Sequence, residues 1–229
     1  MPALSVFESR IGITFKEKRL LEMAFTHRSF LNENRMPGRE HNERLEFLGD
    51  AVLELVVTEF LYAKYPDKPE GELTSFRAAL VNTLSIAEAA TTLHMNDFLL
   101  LSRGESKDTG RARQIILANA FEALIGAIYL DQGYEPARDF IATNIFHKTD
   151  EVVEKKLWQD AKSRFQEVAQ ELSGITPVYN LVDQSGPDHD KKFIVGAYIG
   201  KERIALGEGK SKQEAEQDAA KKALETKGW

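Results

Sequence analysis

The sequence predicts an all-α domain followed by a small α+β domain of order α-β-β-β-α. Apolar residues recur at helical spacing through most of residues 1–148. Proline and glycine clusters break that pattern at intervals. After residue 156 the period changes from helical to alternating and then back to helical.

In the first domain, helical spacing runs through Leu20–Phe30, Glu43–Tyr65, Glu72–Leu93 and Gln114–Asp131, which implies about five to eight helices. The breakers are Pro37-Gly38, Pro66, Pro69-Glu70-Gly71 and the stretch from Gly104 to Gly110. Asp150–Lys156 is charged and lacks a turn signal, so it reads as a linker or a solvated helical extension. Asp160–Ser173 is an amphipathic helix. Pro177–Asp183 alternates like a strand, Ser185-Gly186-Pro187-Asp188 is a turn, and Lys192–Ile199 and Arg203–Leu206 are strands joined at Gly200-Lys201. Ser211, with Glu214 at capping-box spacing, opens a last helix running to Leu224.

The chain has 229 residues, 42% hydrophobic and 29% charged, enough for a real core. It has no cysteine, so it has no disulfide partner, and any metal must be held by oxygen or His. No apolar run of 18 residues is expected to cross a membrane. The start, MPALSVFESRIG, lacks the basic and long apolar stretches of a signal peptide. Together these point to the cytoplasm and away from a membrane partner. The net charge of −6 argues mildly against tight nonspecific nucleic-acid binding. Residues 155–229 carry 13 Lys+Arg and 12 Asp+Glu, a net of +1. Residues 1–154 therefore hold 17 against 24, a net of −7.

The sharpest feature is His41-Asn42-Glu43-Arg44-Leu45-Glu46-Phe47-Leu48-Gly49-Asp50. On a helix, Glu43, Glu46 and Asp50 fall within about 60° of one another, while Leu45, Leu48 and Val52 face the other way. Like charges so spaced repel. A hard divalent cation would compensate, but a solvated acidic face has the same spacing, and spacing alone leaves both readings open. Phe47 lies about 40° from Glu43, beside the acids. By pattern it is equally an inward-tilted core aromatic or an exposed contact residue.

The string HNERLEFLGDAVL resembles the signature of the ribonuclease III family. The resemblance extends through Thr26-His27-Arg28-Ser29, Glu70-Gly71-Glu72-Leu73, the loop Gly104-Glu105-Ser106 to Gly110, and the helix Ile116–Ala127. It implies an endonuclease domain over residues 1–150. By the same resemblance, Glu46, Asn119 and Glu122 ligate Mg²⁺, with Mn²⁺ as a substitute. Asp50 and Glu122 are catalytic, and Glu43 and Glu70 are accessory acids. Phe47 would plug into a partner subunit, making a homodimer with two sites related by a two-fold axis.

Asn119 departs from the family, which usually has Asp there. Glu122 lies among Ala120, Phe121, Ala123, Leu124 and Ile125, where an unpaired buried carboxylate is costly. Asn119, Glu122 and Gly126 repeat the spacing of Glu43, Glu46 and Asp50. That suggests two helices facing one another across a metal, with Gly126 allowing close approach. The five His (27, 41, 94, 147 and 189) show no paired arrangement, and His27 and His41 read as ordering structure.

Residues 157–227 resemble a double-stranded RNA-binding domain through Ala161-Lys162-Ser163-Arg164-Phe165-Gln166-Glu167, Gly186-Pro187-Asp188-His189 and Gly207–Glu216. The resemblance implies that Ser163, Gln166, Glu167 and Gln170 meet the RNA minor groove. His189, in the loop between the first two strands, would meet the next one, and Lys210 and Lys212 would meet phosphates. Gln213 stands where the family often has a third lysine. The implied function is an Mg²⁺-dependent endoribonuclease that cuts double-stranded RNA, leaves 5′-phosphate and 3′-hydroxyl ends, and processes precursor ribosomal and messenger RNA. The alternative is a non-cleaving double-stranded RNA-binding protein whose metal site has decayed at Asn119.

Overall fold

The side chains of His27 and Asn82 fix where two helices of the first unit begin. The computed structural model describes residues 3–229 apart from 35, 157, 159 and 188–190. The chain divides into two compact units, Met1–Trp158 and Gln159–Trp229.

Among its described residues the first unit has nine α-helices, more than the five to eight expected. They are α1 (Leu4–Ile11), α2 (Lys18–Ala24), α3 (Arg28–Glu33), α4 (Glu43–Lys64), α5 (Glu70–Leu80), α6 (Thr83–Thr92), α7 (Arg111–Gln132), α8 (Tyr134–Ile145) and α9 (Thr149–Glu154). The expected helix Leu20–Phe30 is two helices. His27 is extended, and its ring accepts the Ser29 N–H at the start of α3. Likewise Glu72–Leu93 splits at Asn82, whose extended backbone and side chain cap α6 through the Ser85 N–H at 2.9 Å. The helix α8 starts after Gly133 (φ +91°), with Pro136 in its first turn, where a missing N–H is harmless. The charged stretch after residue 148 begins as α9, which packs on α5.

Helices α4 and α7, 22 residues each, form the centre of the unit. They cross with their backbones in contact at Gly49 and Gly126. A Cβ on Gly49 would lie 1.7 Å from the Glu122 carbonyl oxygen, and one on Gly126 would lie 2.3 Å from that of Leu45. The close approach expected at Gly126 is present, and Gly49 supplies its other half. Helix α7 is long and apolar enough to cross a membrane by length and composition alone. It packs instead against α4, α6 and α8 as the core helix, with Phe121, Leu124, Ile125 and Ile128 fully buried. Nearby, Glu8 is buried and accepts the Phe15 N–H at 2.7 Å and the Lys18 ammonium at 2.6 Å, tying α1 to the start of α2.

The second unit has the expected order: α10 (Ala161–Ser173), β1 (Val178–Ser185), β2 (Lys192–Ile199), β3 (Glu202–Gly209) and α11 (Lys212–Lys227). The strands form an antiparallel sheet in the order β1-β2-β3. Phe165, Ala197, Ala219, Ala220 and Ala223 make its core. Gly207 and Gly209 let α11 lie directly on β3, since a Cβ at either would stand 2.1 or 2.5 Å from an α11 backbone nitrogen. The Ser211 hydroxyl accepts the Glu214 N–H, as capping-box spacing implies. The return bond differs, because Glu214 accepts the N–H of Lys210 rather than that of Ser211.

Candidate active site

The acidic helix begins as a helix should: Glu43 and Glu46 occupy its first turn, where the macrodipole favours anions. Asn42, fully buried, anchors this end by donating its side-chain amide to the Ala24 carbonyl and its backbone N–H to that of Thr26. Glu43 has cationic company, with the Arg28 guanidinium 3.3 Å from its Oε1.

At the glycine crossing the helices bring Glu46 and Asp50 of α4 to Glu122 of α7. Burial comes first in raising the pKa of Glu122 to about 7, followed by the charges of Asp50 and Glu46. Burial also lifts Glu46 above the usual carboxylate range, with Glu43 and Asp50 adding to it and the neighbouring Asn119 amide opposing. Among the described residues no cation is paired with Glu46, Asp50 or Glu122. Asp50 is exposed, and Glu46, Asn119 and Glu122 are half-buried. Glu70 lies on a third helix. It starts α5, accepts the Thr74 hydroxyl at 3.0 Å, and is absent from the charges acting on Glu46 and Glu122.

Among the described residues no three His, Asp or Glu side chains form a ready-made metal cage. The donor set is nonetheless right in kind for Mg²⁺, which is held by one or two carboxylates together with water and substrate phosphates. Every donor here is an oxygen, and the negative charge is uncompensated. His27 caps α3 and so orders structure, as the sequence implied.

Phe47 is 81% exposed, so the inward-tilted reading fails. Leu55 (51%) and Tyr62 (75%) continue an exposed stripe along α4. The sequence reading missed Gly49, Leu55 and Tyr62. The glycine was legible only once its partner helix was known, and the stripe only by plotting exposure along the helix.

In the second unit Ser163, Gln166, Glu167 and Gln170 share an exposed face of α10. The Ser163 hydroxyl donates to Asp160, the N-cap of that helix, and the Gln170 amide donates to Thr176 at 3.0 Å. Lys210 and Lys212 are exposed at the start of α11, with no ion pair among the described residues. His189 lies outside the described residues.

The chain thus joins a helical domain carrying clustered acids to an α-β-β-β-α module with a cationic helix start. A family model described as Ribonuclease-III-like matches residues 17–149, and the double-stranded RNA binding motif matches residues 161–227. Ribonuclease 3 of Enterococcus faecalis is 46% identical over 219 residues, covering 96% of this chain and 95% of the relative. Ribonuclease 3 of Desulforamulus reducens is 47% identical over 218 residues, covering 95% and 89%. The crystal structure of the nuclease domain of ribonuclease III from Campylobacter jejuni shares 43% identity at a TM-score of 0.55, covering 63% of this chain and 97% of that one. A second structure of that domain, described for flexibility in a region involved in its dimer formation, shares 42% at the same TM-score, covering 62% and 98%. The chain belongs to the ribonuclease III family and is an endoribonuclease.

Proposed function

We propose that this enzyme cuts double-stranded RNA with Mg²⁺ (or Mn²⁺ in its place), leaving 5′-phosphate and 3′-hydroxyl ends, and that it processes precursor ribosomal and messenger RNA in the cytoplasm. Glu46, Asn119 and Glu122 would hold the ion. When bound, it lowers the pKa of water and offsets charge on the phosphate. Asp50, exposed beside Glu122, orients the attacking water. The water adds to phosphorus in line, and the 3′ oxygen leaves. Glu43, held by Arg28, and Glu70, at the start of α5, are accessory acids. The observation that carries the reading is Glu122 of α7 lying with Glu46 and Asp50 of α4 without a cation among the described residues.

The RNA contacts are Ser163, Gln166, Glu167 and Gln170 in the minor groove, His189 in the next one, and Lys210 and Lys212 on phosphate. The domains are assigned to residues 1–150 and 157–227. The partner is a second copy of the chain, with exposed Phe47 as the contact residue, and dimer formation in the Campylobacter jejuni relative supports it. The reading of a non-cleaving RNA-binding protein rests on Asn119 alone. Cleavage of a long RNA duplex against a DNA duplex, with Mg²⁺ varied and Glu122→Gln as control, tests the proposal. Mg²⁺-dependent cutting of RNA alone, abolished by Glu122→Gln, is expected. Equal rates on the two duplexes, or no cutting at any Mg²⁺ concentration, would overturn it.

A further inference from the structure

The crossing of α4 and α7 fixes the backbones that carry its carboxylates. A methyl on Gly49 would stand 1.7 Å from the Glu122 carbonyl oxygen, and Gly126, one turn on, lies against Leu45 and Gly49. The backbones that carry Glu46, Asp50 and Glu122 are therefore clamped. Repulsion among these side chains cannot be relieved by sliding one helix off the other, and among the described residues no Lys or Arg is paired with them. Asn119 stands one turn before Glu122 on the same side of α7 and beside Glu46.

Resting on the reading of this crossing as the ion site, we propose that Asn119, beyond any place among the ion's ligands, keeps the metal-free crossing stable by limiting its negative charge, at the expense of the grip on a divalent cation. An aspartate of the same shape would add a fourth carboxylate to a space that is partly buried and clamped. The amide removes that repulsion. It still offers Oδ1 to an ion, but without the Coulombic attraction of a carboxylate. On this view Asn119 is a tuning of the site rather than the first step of its decay, and the nuclease unit keeps its packing between encounters with the ion.

The test is thermal unfolding of the full-length chain as wild type, Asn119→Asp, Glu46→Gln and the double variant, each in EDTA and in excess Mg²⁺. In EDTA, Asn119→Asp is expected to melt roughly 2–6 °C below wild type. That deficit should shrink by half or more in the Glu46→Gln background, because the carboxylate it repels is gone. In Mg²⁺, Asn119→Asp should gain roughly 3 °C more than wild type gains. An Asn119→Asp protein that melts with wild type in EDTA, or a deficit unchanged by Glu46→Gln, overturns the proposal. Equal gains in Mg²⁺ overturn its second half. If Mg²⁺ stabilises none of the four proteins, the ion-site reading falls, while the EDTA cycle still decides whether Asn119 relieves crowding.

Discussion

The Glu122 carbonyl oxygen rests on Gly49 so closely that even a methyl group there would overlap it, at 1.7 Å. This contact sets the distance between the two helices that carry the acids, and it explains why a glycine follows Leu48 in a helix otherwise built for packing.

Gly49→Ala should therefore damage both fold and activity. Overpacking a well-filled contact costs about 1–3 kcal/mol, and more where the obstacle is backbone rather than a flexible side chain. The gain in helix propensity from glycine to alanine, about 1 kcal/mol, is smaller. A denaturant melt should show destabilisation of at least about 2 kcal/mol, together with loss of cleavage. An alanine variant as stable as wild type would mean the helices are not locked at this point.

Phe47→Ala should weaken self-association without touching the fold of the protomer. At 81% exposure the ring contributes little to the unit that carries it, so the unfolding free energy at low concentration should change by under about 0.5 kcal/mol. Buried against a partner, an aromatic anchor contributes about 2–4 kcal/mol, or roughly 30-fold and upward in dimer Kd. Sedimentation across a micromolar range separates the two effects. A dimer as tight as that of wild type would remove Phe47 from the interface.

Replacing Lys210 and Lys212 together by alanine should lower the slope of log affinity against log salt by roughly two units, since each phosphate contact contributes about one. Both side chains stand exposed at the start of α11, so the module should keep its fold. The cleavage rate at saturating RNA should be unchanged, because the acids lie in the other unit. An unaltered salt slope would exclude these lysines from the backbone contact.

Much of this was legible in the sequence because it depends on periodicity. The acids of α4, the burial of Leu45 and Val52, the limits of β2 and the Ser211 cap all follow from local pattern. What was not legible depends on single interactions across distance. The break between α2 and α3 rests on His27 capping Ser29, and that between α5 and α6 on Asn82 capping Ser85. The helices α1 and α8, which bury Phe7 and Phe140, lie outside the stretches singled out for helical spacing. Glu70 matched a family string, yet it starts α5 and is absent from the charges acting on Glu46 and Glu122, which no spacing rule in one chain could reveal. The pairing of Gly49 with Gly126 needed the partner helix.

The last prediction concerns pH and follows from Glu122. Its pKa rises from 4.5 in the unfolded reference to about 7 in the fold, through burial first and then the charges of Asp50 and Glu46. The folded state thus binds the proton more tightly than the unfolded one. For such a group, stability is fully present below the unfolded pKa and is lost as pH rises through the folded value. Without a divalent ion, the protein should lose stability between about pH 4.5 and 7 and then level off, as far as this group decides it. Each pKa unit is worth about 1.4 kcal/mol, but Glu122 is partly reached by water, so about 1–3 kcal/mol is expected rather than the full shift. Glu122→Gln keeps the shape and removes the titration. Relative to wild type in EDTA, it should be roughly neutral near pH 5 and more stable by that amount near pH 8. Excess Mg²⁺ near pH 8 should narrow or reverse the difference, since only the carboxylate gains from the ion. Paired denaturant melts at the two pH values decide the matter. A variant whose advantage is the same at both would show that Glu122 is not the strained acid of this site.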